Sequence, residues 1–110
     1  MVRKFILDVD GKTPVPCDDF LAWGTWYETA IRKCQVALTL VGDARVSTVF
    51  LGIDRNYWRR GPPLLFETMV FGGWMDMATD LYPTWEQAAL GHEIMVALVH
   101  GAGGRRDVIT

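Results

Sequence analysis

Two segments rich in β-branched and aromatic residues, Arg45–Asp54 (RVSTVFLGID) and Leu64–Phe71 (LLFETMVF), constrain most what this chain can fold into. In the first, Val46, Thr48 and Phe50 point one way, and Ser47, Val49, Leu51 and Ile53 the other. Both faces are largely apolar, the pattern of a central strand covered on both sides. The second segment matches it in length and is again apolar on both faces. Gly61-Pro62-Pro63 resets the chain between them. The simplest pairing is an antiparallel hairpin, 45–54 with 64–71, closed by a long loop over 55–63.

The remaining elements follow from local signals. Lys4–Val9 is a short apolar run ending at the turn dipeptide Asp10-Gly11, a candidate first strand or extended arm. Thr13-Pro14-Val15-Pro16 cannot be helical, because each proline biases its predecessor towards extended geometry, and it reads as a stiff connector. Asp18 or Asp19 offers an N-cap for a helix over about 18–33. Phe20, Trp23, Gly24, Tyr27, Ala30 and Ile31 would form its apolar face, with Trp26 off that stripe. Gln35–Val41 reads as a strand, since Val, Thr and Leu dominate and Gly42-Asp43 follows. Trp74–Tyr82 reads as a loop or a short helical turn. A capping box, Thr84 with Gln87, starts a second helix whose apolar face is Trp85, Ala88, Ala89, His92, Met95, Val96 and Val99. Gly101 is its stop signal.

The expected fold is therefore α+β, a small antiparallel sheet of three or four strands with two packed helices. It would form a single domain over 1–101, with 102–110 as a flexible C-terminal tail.

Composition narrows the function classes. Half of the 110 residues are hydrophobic, which excludes disorder for most of the chain. A net charge of −2 supplies no global field for nucleic acid. The apolar run after Arg3 and Lys4 is too short for a signal segment, and no run approaches the roughly 18 apolar residues of a membrane span, so a cytoplasmic location without a membrane role is expected. Cys17 and Cys34 flank the first helix, roughly 24 Å apart at its rise per residue, too far to bridge, and read as reduced structural thiols.

Three constellations could carry chemistry. His92-Glu93 begins like a zinc-protease helix, but Val96 stands where the second histidine is needed, and His100 lies about 80° round the helix. No metal and no cofactor are expected, and His92 reads as a half-buried helix residue donating to a neighbouring carbonyl. Asp54 and Glu67 flank the hairpin loop and form a possible carboxylate pair for acid–base work. The structural alternative has Asp54 turning the chain and Glu67 pairing with Arg45, Arg55, Arg59 or Arg60. The third constellation is the loop Arg55-Asn56-Tyr57-Trp58-Arg59-Arg60. Arg, Tyr and Trp are the residue types of interface hot spots, and they also stack on bases and neutralise phosphates. Arg55, Tyr57, Trp58, Arg59 and Arg60 are the candidate partner-binding residues. The alternative is that Trp58 folds back as a lid on the core while the arginines are solvated. No catalytic residue is assigned.

The segments FILDVDGKTPVP (5–16), DDFLAWGTWYETAIRK (18–33), VSTVFLGID (46–54), GPPLLFETMVFGG (61–73) and TWEQAALGHEIMVALV (84–99) resemble a group of small uncharacterised proteins encoded by bacteriophages and prophages. In that group a His commonly follows the Asp of the LGID segment, and a glycine-rich loop comes next. Here Arg55 and NYWRRG stand in those places, so a His-dependent site does not carry over. The resemblance implies phage origin and expression in a bacterial cytoplasm. The leading expectation is a non-enzymatic accessory protein that binds a host protein, as counter-defence (anti-CRISPR-like) inhibitors do. The alternatives are a small nucleotide-binding or hydrolytic enzyme using Asp54 and Glu67, and a self-assembling accessory protein such as a homodimer. Nucleic acid ranks below a protein partner.

Overall fold

Alternating apolar residues over Gln35–Val41 (β3), Ala44–Phe50 (β4) and Phe66–Phe71 (β5) build a sheet that Thr79–Tyr82 (β6) extends, in the order β3-β4-β5-β6 with every neighbour antiparallel. The structure, a computed structural model, describes residues 2–58 and 60–109, with side chains described through Gly101. Before the sheet, Phe5–Leu7 (β1) pairs with Pro14–Pro16 (β2), and Phe20–Thr29 (α1) leads through a 3-10 turn, Ile31–Cys34, into β3. After the sheet, Trp85–Ile109 (α2) packs across one of its faces. The expected α+β architecture with a central hairpin is what forms, with a second, two-stranded sheet beside it.

Side-chain alternation sets the core. Ala44, Val46, Thr48 and Phe50 of β4 and Phe66, Thr68 and Val70 of β5 are buried beneath α2. From α2 come Ala88, His92, Met95 and Val99, which are buried, with Trp85 and Val96 partly so. This is the helix face that the periodicity predicts. Thr84 caps the helix, its Oγ1 accepting from the Gln87 amide at 3.1 Å. Gly91 has a packing reason: a Cβ there would run into the Tyr82 ring, which lies against the helix backbone.

Several expectations are corrected. The proline-rich connector is strand β2, because its extended residues match the register of β1 (Ile6 opposite Val15), and proline tolerates a short edge strand. The stretch 74–82 contains β6, paired Thr68 to Asp80 and Phe66 to Tyr82. Helix α1 is shorter than predicted, capped by Asp19 through the Leu21 and Ala22 amides at 2.9 and 3.1 Å, and none of its residues is fully buried. Phe20 and Ile31, assigned to its apolar face, are exposed, whereas Trp26 meets Phe50 edge-on at 6.0 Å. Helix α2 does not stop at Gly101 but continues to Ile109; the side chains of 102–110, where a flexible tail was expected, lie outside the described residues. Among the described residues the two long strands are covered on one face, by α2, and not on both as expected, because α1 packs against β1.

Among the described residues no helix is long and apolar enough to cross a membrane. Cys17 and Cys34 are free, and burial pushes the Cys34 thiol up.

Candidate functional site

The loop between β4 and β5 is built outward from Asp54. Past Phe50 the ladder continues as Leu51 N–H donates to Leu65 O at 2.7 Å and Arg55 N–H to Leu64 O at 2.9 Å. On the other side the N-terminal arm lies along the same segment. Phe5 N–H donates to Gly52 O, and Asp54 N–H to Arg3 O. Residues 51–55 are therefore held from both edges before the chain turns.

Asp54 is buried, and both of its carboxylate oxygens are occupied. Oδ1 accepts from the amides of Asn56 (2.8 Å) and Leu64 (2.9 Å), and Oδ2 accepts from the Arg3 guanidinium at 2.9 Å. Burial alone would push its carboxyl up. The Asn56 amide, the Arg3 guanidinium and the Leu64 amide outweigh that and hold it below the usual carboxylate range. Asn56 extends the brace, its amide donating to Arg60 O at 2.7 Å and Pro62 O at 2.9 Å, which ties the returning leg to the outgoing one. An aspartate two residues before a backbone N–H it binds is a turn-forming arrangement.

What the brace presents is aromatic. Tyr57 is 62% exposed and Trp58 80%, so Trp58 is not a lid on the core. Arg60 is exposed, Arg55 is half-buried, and Arg59 lies outside the described residues. The Arg55 Nη1 stands 3.7 Å from Glu67 Oε2, an ion pair too long for a hydrogen bond, and its buried Nε has no hydrogen-bond partner among the described residues. Asp54 and Glu67 are thus each engaged by a different arginine. Saturated by three donors, Asp54 is suited to holding the loop and poorly suited to accepting a proton from a substrate.

The other chemistry-bearing residues fall elsewhere. His92 is fully buried under the sheet, not half-buried, and its partners are hydroxyls rather than a carbonyl. Nδ1 is 2.7 Å from Thr48 Oγ1, and Nε2 is 2.8 Å from Thr39 Oγ1. Thr48 Oγ1 lies 2.5 Å from Thr68 Oγ1, and Thr68 in turn meets the Tyr82 hydroxyl, which donates to Asp80 at 3.2 Å. This polar chain separates an aromatic core cluster around Phe50 and Phe66 from an aliphatic one around Val46, Val70 and Met95. Among the described residues no three His, Cys, Asp or Glu side chains gather in a metal-binding group.

A cavity of about 370 Å³ opens between the β1–β2 hairpin and α1, walled by Ile6, Val9, Val15 and Trp26 with Asp8 and Lys33 at its polar side. Among the described residues its lining holds no serine, threonine, cysteine or histidine.

Sequence reasoning missed Arg3 and Asn56 as loop-positioning residues. The spacing Asp54-x-Asn56 before a turn was a usable signal for the second. Nothing local signalled the first, 51 residues away. Comparison of the chain with protein-family models, with curated proteins and with solved structures found no match.

Proposed function

We propose that this chain is a non-enzymatic binding protein that engages a partner protein through the 55–60 loop, with Tyr57 and Trp58 as anchors and Arg55 and Arg60 beside them. The observation that carries this reading is the exposure of Trp58 and Tyr57 at the tip of a loop that Asp54 and Asn56 hold in shape. An indole left in water on a braced loop loses little order when it is covered. At ~25 cal/mol per Å², covering about 200 Å² of it would favour binding by roughly 4–5 kcal/mol before association costs. Arginine beside aromatic side chains is the composition of an interface hot spot. The resemblance of the sequence to phage-encoded proteins supports a bacterial host component as the partner, a defence protein among the candidates.

The experiment is capture from bacterial lysate by the intact chain and by a Tyr57→Ala/Trp58→Ala double variant of matched circular dichroism. A protein retained by the first should bind the second at least roughly tenfold more weakly, about 1.4 kcal/mol or more. Equal retention by both chains would overturn the reading. Binding of the isolated chain to short nucleic acids, lost in the same variant, would move the partner to a different class.

A further inference from the structure

The four-stranded sheet has a second face, and among the described residues no helix packs on it. Helix α2 packs on the face of Val46, Thr48 and Phe50, while α1 packs against β1. The strand registers arrange the open face in three rows: Leu40, Arg45 and Phe71; Leu38, Ser47, Met69 and Thr79; and Gln35, Val49, Glu67 and Leu81. A sheet face left to water is ordinarily polar in alternation. Here Leu40 is 74% exposed and Leu38 53%, with Phe71 beside them.

We propose that this face is the contact surface of a symmetric homodimer in which two copies stack sheet on sheet. Three features select a second copy as the occupant. The first is charge. Arg45 stands over the Phe71 ring at 4.8 Å, and among the described residues no carboxylate lies within ion-pair distance of it. Glu67, at the opposite end of the face, has among the described residues one ion-pair contact, the long one to Arg55. A two-fold axis between the sheets and across the strands exchanges the first row with the third. It sets Arg45 of one protomer across the sheet gap from Glu67 of its partner, offset sideways by one strand spacing, roughly 5 Å. The two long side chains can then meet between the sheets. The face is complementary to itself when turned over.

The second feature is shape. The middle row, on the axis, carries the small Ser47 and the flexible Met69, so two sheets can approach to the ~10 Å at which inward side chains interdigitate. The third is area. Four strands and three rows cover roughly 19 by 20 Å, near 400 Å² in projection per protomer. Side-chain relief raises that towards the ~500 Å² per partner that a specific interface needs. The proposal is separate from the loop reading, which concerns a different surface and a different partner.

The test is the mass of the full chain by sedimentation velocity over a wide concentration range, with variants that leave the core alone. The wild type should run as a dimer at the upper end. Leu40→Glu, on β3 and two strands away from Glu67, should raise the dimer dissociation constant roughly tenfold or more. Arg45→Glu and Glu67→Arg should each weaken it, and the double exchange should restore most of the loss. Because Glu67 also neighbours Arg55, the Leu40→Glu result is read independently of the exchange pair. Circular dichroism of each variant at dilute concentration should match the wild type. A monomer mass at every concentration would overturn the proposal, as would a dimer indifferent to Leu40→Glu.

Discussion

Replacing His92 with alanine should lower the unfolding free energy by about 3–5 kcal/mol, measured by denaturant titration. The substitution leaves a ring-sized void in the middle of the core and removes the partner of both Thr39 and Thr48. The part-buried Thr39 hydroxyl loses its imidazole partner, and the buried Thr48 hydroxyl keeps only Thr68. The imidazole also imposes a pH dependence. Burial holds it below its ordinary value of 6.5, and the Glu93 carboxylate pulls only part of the way back. The side chains facing the ring are the neutral hydroxyls of Thr39, Thr48 and Thr68; Tyr82 lies beyond Thr68, and the nearest carboxylate along that chain, Asp80, is at its exposed end. The unfolded chain therefore binds a proton more readily than the folded one. Stability is complete above about pH 6.5 and falls as the pH drops below that value towards the folded-state pKa. His92→Ala should flatten this limb of the stability–pH curve. A wild-type curve level through that window, or a variant destabilised by under about 1 kcal/mol, would show that the imidazole is not the keystone of this layer.

Asp54→Ala should cost about 2–4 kcal/mol, because it strips the acceptor from two backbone amides and leaves Arg3 without its carboxylate. The Arg3 share is small, since that side chain is about half exposed and its charge is screened by water. Asp54→Asn keeps one oxygen for the amides and should cost about 1 kcal/mol. The order Ala, then Asn, then wild type in thermal melts is the expected result, and equal losses for both variants would assign the effect to the charge alone. The carboxylate contribution is present above its ordinary value of 3.8 and is lost as the pH falls below it, well separated from the His92 window. The same substitution should weaken partner binding even though Asp54 touches no partner, since the loop that displays Trp58 would lose its inner support.

Much of the fold was legible because its periods are long and clean. The seven inward positions of α2 recur over four turns, so its burial could be read from spacing. The alternation of β4 gave the strand, but with apolar residues on both faces it did not show that only one face is covered. Strand β6 was not legible. TDLY is four residues with a central aspartate, and only the register of β5 gives it a place. The covered face of α1 was read correctly at Trp23, Gly24, Tyr27 and Ala30 and wrongly at Phe20 and Ile31; the helix ends at Thr29, so Ile31 leaves it on the 3-10 turn. For the candidate site, the position of the loop and its aromatic composition were visible. The Arg55–Glu67 pair was among the pairings anticipated. The Arg3 brace was invisible, being a contact between distant segments that carry no shared pattern. The polar layer left a faint trace in Thr48 and Thr68, the two hydroxyls on otherwise apolar inward rows, and the helix histidine opposite them would have completed it.

The arm that lies along Gly52–Asp54 has a consequence for the order in which the molecule assembles. The sheet β3-β4-β5-β6 joins neighbours in sequence, so each pairing closes a short loop, whereas docking residues 3–5 onto 52–54 closes one of about fifty residues. The arm is accordingly the last strand-like segment to gain its place and the first to give it up. Because the Asp54 amide bonds to the arm's Arg3 carbonyl, its hydrogen exchange should be faster than that of the Thr48 amide deep in the sheet. It should quicken further in an Arg3→Ala variant while Thr48 is unmoved. The display loop would then loosen ahead of the body that carries it, and a partner that clamps the loop would at the same time fasten the N-terminal arm.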